Sequence, residues 1–220
     1  MPLVVALDGP AGAGKSTIAK GVSKKLGAIY VDTGAMYRAT ALYMLRNNVD
    51  TDDEKAVSEK LEGLDITIKF EDGAQVVILN GENVNGFIRT EEVGKAASKV
   101  SKYGPVRTKL VELQRKLAEK ESVVMDGRDI GTVVLPNANP KIYLTASSKV
   151  RAKRRYEELI AKGESADLDT IEKDIIDRDY QDMHREISPL KKADDAIEVD
   201  TSDMTIDQVE AEILRLCEGK

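Results

Sequence analysis

The sequence is poor in several residue types that would mark a particular class of protein. It has one cysteine, one histidine and no tryptophan among 220 residues. A single cysteine, Cys217, excludes an internal disulfide, and the framework of a small disulfide-stabilised secreted domain is therefore missing. No hydrophobic run approaches the ~20 apolar residues of a membrane-spanning helix. We therefore expect a cytoplasmic protein with no membrane partner.

Positive charge is also in deficit. Lys and Arg number 33 against 39 Asp and Glu, so the net charge is −6 and a nucleic-acid polymer is an unfavourable partner. The length exceeds a typical domain of ~100–150 residues but falls short of two. A hydrophobic content of 41% is enough for one large core. We expect one domain over residues 1–220 with a small insertion.

The most informative stretch follows the first apolar run, Leu3 to Leu7. The sequence Gly9-Pro10-Ala11-Gly12-Ala13-Gly14-Lys15-Ser16 matches the phosphate-loop pattern G-x-x-x-x-G-K-[ST] at every position. Glycines let backbone N–H groups approach phosphate oxygens, and a helix starting near Thr17 adds its positive end. In such loops Lys15 reaches the β- and γ-phosphates and Ser16 ligates Mg²⁺. A full match in this context favours phosphate binding over an ordinary Gly/Ala-rich turn.

Apolar strands alternate with helical patterns along most of the chain. The strands are predicted at residues 3–7, 28–31, 122–125, 141–146 and 196–199. This alternation is typical of an α/β fold with a parallel sheet, helices on both faces and ligands at the carboxyl ends of the strands. Between residues 63 and 90 the period changes to two, with turns at Asp72-Gly73 and Asn80-Gly81. We interpret this segment as an inserted three-stranded antiparallel sheet.

Charged residues follow the second predicted strand. Asp32 or Thr33 can cap a helix that runs to about Asn47. This arrangement places Arg38 near a positive helix end, beside the carboxyl edge of the sheet. A solvated surface arginine would fit the same pattern equally well.

The third predicted strand ends at Asp126. An aspartate at the end of an apolar strand is where a phosphate-loop protein holds its Mg²⁺ shell, and Arg128 and Asp129 would project into the same cleft. An ordinary charged turn is the alternative. A helical segment over residues 91–121, with a break at Gly104-Pro105, precedes this strand.

Two helices near the end of the chain carry ordered charges. Arg151, Arg154 and Arg155 predict a cationic patch suited to polyphosphate. In the next helix Asp169 and Glu172 form a potential capping box. That helix has an apolar stripe, which consists of Ile176, Tyr180, Met183 and Ile187. Roughly opposite lies a charged stripe, which consists of Arg178, Asp182 and Arg185. By default the apolar stripe lies in the core and the charged stripe in water, unless the helix closes over a cleft. The one histidine, His184, is interpreted as a surface residue.

Four motifs together resemble the bacterial cytidylate kinases, which belong to the nucleoside monophosphate kinase group of phosphate-loop enzymes. They are Gly9 to Thr17, Asp32 to Arg38, Asp126 to Thr132, and Arg178 to Leu190. The resemblance covers nearly the whole chain. It implies a five-stranded parallel sheet, a lid over residues 151–170 and the inserted sheet, 63–90, next to the acceptor site.

The resemblance also implies an activity. The enzyme would be a monomer that transfers the γ-phosphoryl group of ATP, with Mg²⁺, to CMP or dCMP in pyrimidine nucleotide metabolism. Such a reaction needs positioning and charge neutralisation more than a strong base, which fits a site rich in arginine.

The resemblance assigns roles residue by residue. The ATP site would comprise Gly9, Pro10, Ala11, Gly12, Ala13, Gly14, Lys15, Ser16 and Thr17, with Arg151 and Arg154. The CMP site would comprise Arg38, Arg128 and Arg185 at the phosphate, Arg178 and Asp182 at the sugar, Ser98, Arg107 and Asp129 at the cytosine, and Thr33 and Tyr37. Thr33 stands where some family members have serine, which keeps the hydroxyl group. The catalytic set would be Lys15, Asp126, Arg128 and Arg178, and the Mg²⁺ ligands Ser16 and Asp126.

Other functions are open to the same fold. A GTPase switch would share the loop, but it needs an N-K-x-D motif, and no asparagine in the chain precedes a lysine. A kinase for a sugar or a shikimate-like acceptor would need a base for a hydroxyl group, whereas the arginines suit a phosphate acceptor. A phosphate-loop kinase for another small acceptor, such as UMP or AMP, is a further alternative. A purely regulatory ATP-binding module would not need a second anion site.

Overall fold

The computed structural model describes residues 2–71 and 73–218. Its main sheet has five parallel strands in the order β2-β6-β1-β7-β8. They are β1 (Val4–Asp8), β2 (Ile29–Asp32), β6 (Val123–Gly127), β7 (Lys141–Thr145) and β8 (Ile197–Asp200). The predicted five-stranded parallel sheet is therefore confirmed.

Helices cover both faces of this sheet. They are α1 (Lys15–Leu26), α2 (Thr33–Arg46), α3 (Glu54–Lys60), α4 (Glu91–Val100), α5 (Gly104–Ala118), α6 (Ser148–Ala161), α7 (Leu168–His184) and α8 (Ile206–Glu218). Alternate residues of β1 enter two cores: Ala6 joins the one beneath α2, α4 and α5, and Val5 and Leu7 join the one beneath α1 and α8. Burial on both faces explains why the central strands are continuously apolar.

The inserted sheet is antiparallel, as predicted. It contains β3 (Ile66–Glu71), β4 (Ala74–Leu79) and β5 (Glu82–Asn83). Asp72 of the first predicted turn lies outside the described residues. Gln75 attaches this sheet to the main one, because its amide accepts from the Asp32 N–H at 2.8 Å and donates to the Asp32 carbonyl at 3.1 Å. The insertion therefore sits at the carboxyl end of β2.

The predicted break at Gly104-Pro105 is confirmed, because α4 ends at Val100 and α5 begins at Gly104 with Pro105 in its first turn. Other local predictions are wrong. The cap of α7 is Asp167, which accepts from the Thr170 N–H at 2.8 Å; Glu172 of the predicted capping box instead accepts from Ser148 Oγ. Helix α3 and a short π-helical segment, Ile130–Val134, were not predicted.

The orientation of α7 reverses the default interpretation of its two stripes. The apolar residues face outward, with Tyr180 64% and Ile176 50% exposed, whereas Asp182 is buried. The reason is electrostatic, because Asp182 forms an ion pair with Arg128 at 2.9 Å. His184 is exposed, as predicted, and stacks on Tyr180.

Within residues 2–71 and 73–218, no helix is both long enough and apolar enough to cross a bilayer.

Candidate active site

The phosphate loop connects β1 to α1 at the carboxyl edge of the sheet. Gly9, Gly12 and Gly14 all have positive φ, which favours glycine. At Gly9 a Cβ atom would lie 2.0 Å from the Leu144 carbonyl oxygen, so only glycine fits. Lys15 is buried and its Nζ donates to the Pro10 carbonyl at 2.7 Å. The lysine therefore lies across the loop whose backbone would hold the phosphates.

Ser16 and Asp126 meet beside this loop, as the sequence predicted. Ser16 Oγ donates to Asp126 Oδ2 at 3.0 Å, and the hydroxyl group of Tyr30 donates to Oδ1 at 3.0 Å. Burial, followed by the charge of Asp32, raises the pKa of Asp126 to about 6. Hydroxyl and carboxylate oxygens are hard ligands that suit Mg²⁺. In the described parts of the chain no group of three His, Cys, Asp or Glu side chains could hold a metal.

Arginines cluster on the other side of Asp126. Burial, followed by the nearby charge of Arg128, lowers the pKa of Arg178 to about 10. Burial also lowers the pKa of Arg38, although Asp32 opposes this effect. The Nε of Arg178, the Nη2 of Arg185 and the hydroxyl of Tyr37 are buried and have no hydrogen-bond partner among the residues that the structure describes. Unused donors among crowded cations are suited to an anionic ligand.

A separate buried group lies next to these arginines. Arg107 donates to Asp129 Oδ2, and Arg185 Nη2 is 3.7 Å from Asp129 Oδ1. The guanidinium of Arg107 also lies over the ring of Tyr37, with 5.7 Å between Cζ and the ring centroid. The structure thus brings together four distant segments of the chain that the resemblance assigns to the acceptor.

Two residues that the resemblance assigns to the acceptor, Ser98 and Thr33, form no hydrogen bond with Arg107 or Asp129 among the described residues. Ser98 is half-buried on α4, and no hydrogen bond within the described residues joins its hydroxyl to Arg107 or Asp129. The hydroxyl of Thr33 donates to the Asp126 carbonyl at 2.7 Å. Thr33 therefore connects the start of α2 to the end of β6.

The arginines of α6 do not form the predicted cationic patch. Arg151 is buried and pairs with Asp179, and Arg154 donates to the side chain and carbonyl of Thr201. Arg155 is exposed and pairs with Glu158. Helical spacing placed the three side chains on neighbouring turns, but each finds a different partner. Of the remaining predicted residues, Thr17 is exposed on the first turn of α1.

Sequence analysis missed three charged residues near the site. Asp8 accepts from the Ile130 N–H at 2.8 Å and the Gly131 N–H at 2.7 Å, so it connects the phosphate loop to the segment after Asp129. Arg89 pairs with Asp32, whose pKa is lowered by Arg89 and Arg38 against the effect of burial. Asp179 is the third. Asp8 had a sequence signal because it directly precedes the loop, and Asp179 lies within the motif Arg178 to Leu190.

We expect the ionisation of Asp8 to reduce folding stability as the pH rises from about 4 to about 6. Burial raises the pKa of Asp8 from 3.8 to about 6, so in this window the folded protein binds more protons than the unfolded chain. At about 1.36 kcal/mol per pKa unit, the contribution of Asp8 to the free energy of unfolding should fall by up to about 3 kcal/mol. Urea unfolding of the natural protein and of Asp8→Asn over this range measures the effect.

The Asp8→Asn variant lacks this titration. Its free energy of unfolding should therefore rise relative to that of the natural protein as the pH rises. Parallel stability curves for the two proteins would contradict the assignment to Asp8.

Comparison with known proteins gives a consistent result. A family model described as cytidylate kinase matches residues 5–219. The cytidylate kinase of Lactobacillus johnsonii is 55% identical over 216 residues, which cover 98% of this chain and 94% of that protein. The cytidylate kinase of Listeria monocytogenes is 52% identical over 219 residues, covering 99% of this chain and 97% of that protein.

Solved structures of similar fold include other kinases. A gluconokinase from Sinorhizobium meliloti aligns with a TM-score of 0.51 and 12% identity, covering 99% of this chain and 93% of that chain. A shikimate kinase from Bacteroides thetaiotaomicron aligns with a TM-score of 0.50 and 16% identity, covering 98% of each chain. At this identity the likeness concerns the fold alone.

Proposed function

The chain belongs to the cytidylate kinase family and is a nucleoside monophosphate kinase; we propose that its acceptors are CMP and dCMP and its donor ATP with Mg²⁺. An oxygen of the acceptor phosphate attacks the γ-phosphorus of ATP, the bond from that phosphorus to the β,γ-bridging oxygen breaks, and ADP leaves. The acceptor oxygen is already ionised, so no protein base has to remove a proton. The observation that carries the proposal is the cluster of buried arginines with unused donors beside the phosphate loop.

The donor half of the proposed site is the loop from Gly9 to Thr17. Its backbone N–H groups and Lys15 would bind the β- and γ-phosphates, with Arg151 and Arg154 assigned to the donor from α6. Ser16 and Asp126 would hold Mg²⁺, which when bound neutralises charge on the transferring phosphates. Tyr30 keeps the carboxylate of Asp126 in place through its hydrogen bond to Oδ1.

The acceptor half lies across Asp126 from the loop. We assign Arg38, Arg128 and Arg185 to the monophosphate and Arg178 and Asp182 to the sugar. Arg128 is already oriented, because its Nε donates to Asp182 Oδ2 at 2.9 Å. Two polyanions repel one another, and fixed arginines in a site that excludes water offset this repulsion without further reorganisation.

Two segments are proposed to enclose the substrates. The lid, residues 151–170, includes the exposed connection between α6 and α7. The inserted sheet adjoins the acceptor half through the contact of Gln75 with Asp32. A closed lid would keep water from taking the phosphoryl group.

The acceptor class is tested by measuring ADP release from ATP and Mg²⁺ over a panel of acceptors. CMP and dCMP should be the best substrates among CMP, dCMP, UMP, AMP, shikimate and gluconate. Gluconate and shikimate are included because the two kinases of similar fold are named as a gluconokinase and a shikimate kinase. Greater activity with either of these than with every monophosphate would overturn the proposal.

Replacing Arg185 by alanine should weaken use of the acceptor by about tenfold in kcat/KM, because a charge-assisted hydrogen bond to phosphate is worth about 1.5–3 kcal/mol. The same change should lower the thermal unfolding midpoint little, since Arg185 follows α7 and lies outside both apolar cores. Steady-state kinetics with CMP as the varied substrate measures the first effect. Arg155→Ala, an exposed arginine on α6, is the matched control. Unchanged kinetics in Arg185→Ala would mean that this arginine does not serve the acceptor.

A further inference from the structure

Helix α7 holds two arginines through carboxylates three residues apart. Asp182 pairs with Arg128, which follows β6, at 2.9 Å. Asp179 pairs with Arg151, which belongs to α6, at 2.6 Å. Residues at this spacing lie on the same side of a helix. One face of α7 therefore contacts both sides of the cleft.

Arg151 connects three elements through one guanidinium group. Its Nη1 donates to the Ala11 carbonyl of the phosphate loop at 2.9 Å, and its Nε donates to the Ala146 carbonyl at the end of β7 at 2.8 Å. Its Nη2 donates to Asp179 Oδ2. The side chains of Arg151 and Asp179 are only 6% and 13% exposed, so water screens their attraction weakly.

Asp179 has a feature that a purely structural ion pair does not require. Its second oxygen, Oδ1, is buried and has no hydrogen-bond partner within residues 2–71 and 73–218. An unpaired buried acceptor costs free energy. The hydrogen-bonding capacity of this carboxylate is therefore not fully used. A shift of α7 that brought a hydrogen-bond donor to Oδ1 would stabilise the carboxylate.

We propose that Asp179 is a positioning residue which, acting through Arg151, couples the binding of ATP to the binding of CMP. The inference rests on the proposed function, because Ala11 and Arg151 lie in the donor half and Asp182 and Arg128 in the acceptor half. A phosphate on the loop interacts with the guanidinium that Asp179 holds, so donor binding changes the position preferred by α7. The same helix carries Asp182 and Arg178 to the acceptor, and two ligands that bias one element must affect each other equally.

The experiment measures this mutual effect directly. The affinity for a non-hydrolysable ATP analogue with Mg²⁺ is determined by calorimetry, with and without saturating CMP. In the natural protein CMP should tighten binding of the analogue by about fivefold or more, the lower end of typical coupling. In Asp179→Asn the ratio of the two dissociation constants should fall below about twofold. Circular dichroism and the thermal unfolding midpoint establish that the variant is folded.

Asp177→Asn is the matched control on the same helix. Asp177 is exposed, and its partner is Lys173 at 3.5 Å, one turn away. This variant should keep the ratio of the natural protein. A full ratio in Asp179→Asn, or an equal loss in Asp177→Asn, would overturn the inference.

A second variant covers the case in which Asp179→Asn does not fold. Arg151→Lys keeps the positive charge but cannot contact the loop, β7 and α7 at once, so it should also abolish the coupling. Retained coupling in Arg151→Lys would contradict the inference. If the natural protein binds CMP and the analogue with no mutual effect, this inference alone fails; if it does not bind CMP, the proposed function fails.

Discussion

Replacement of Lys15 by alanine should lower the rate of phosphoryl transfer by about a hundredfold or more, since loss of a charge contact to the transition state costs about 3 kcal/mol. Lys15 begins α1, and its Nζ lies at the Pro10 carbonyl of the phosphate loop. A lysine at this place in the loop reaches the β- and γ-phosphates, where negative charge is redistributed during transfer. Single-turnover kinetics with CMP, ATP and Mg²⁺ measures the loss in the chemical step.

The fold should survive this change, although not for the reason that the sequence suggested. The place of Lys15 in a phosphate loop predicts a solvent-accessible side chain outside the core, whereas the structure buries it to 6% exposure. Burial, and then the charge of Arg128, lower its pKa below the ordinary value for lysine. A buried cation held in this way stabilises the ligand-free fold little, so its removal should affect activity far more than stability.

Two further variants make the result specific to the amino group. Lys15→Met keeps most of the side-chain volume without the charge and should be as inactive as the alanine variant. Lys24→Ala changes an exposed lysine of the same helix and should retain normal activity. Near-normal turnover in both Lys15 variants would remove the phosphate loop from the mechanism.

CMP and dCMP should be preferred over UMP by at least about tenfold in kcat/KM, because each unpaired buried polar group costs about 1–3 kcal/mol. Cytosine presents an amino donor at position 4 beside acceptors at positions 3 and 2, and uracil reverses the first two. The proposed reader of the amino group is Asp129, which is 4% exposed and fixed by Arg107. A rigid carboxylate in this position would face the uracil carbonyl oxygen without a hydrogen bond.

Asp129→Ala should narrow the ratio of kcat/KM between CMP and UMP while leaving ATP affinity largely unchanged. Competition kinetics with both acceptors measures the ratio, and calorimetry measures ATP binding. Asp195→Ala is a control in which a carboxylate is removed from another buried cation, Lys141. That control should keep the preference for CMP.

Comparable kcat/KM values for CMP and UMP in the natural protein would refute the assignment of this pocket. Strong activity with AMP would place the protein in another branch of the monophosphate kinases.

Features encoded by neighbouring residues were predictable from the sequence. The phosphate loop depends on glycines at set positions between an apolar strand and a helix, and all of these residues lie within Val4 to Leu26. The three central strands, β1, β6 and β7, were predictable because they are buried on both faces of the sheet. The contact between Ser16 and Asp126 has a different basis. Parallel strands have their carboxyl ends at one edge of the sheet, and both residues lie at that edge.

Only the tertiary structure decided which charged residues are buried and which partners they have. Helical periodicity shows that α7 has two ordered faces, but which face turns inward depends on Arg128, which lies 54 residues before its partner Asp182. The separate partners of Arg151 and Arg154, and the contact of Asp8 with Ile130 and Gly131, likewise join distant segments. Sequence pattern reports local spacing and average burial, whereas the net benefit of a buried charge depends on whether a distant partner compensates its loss of hydration.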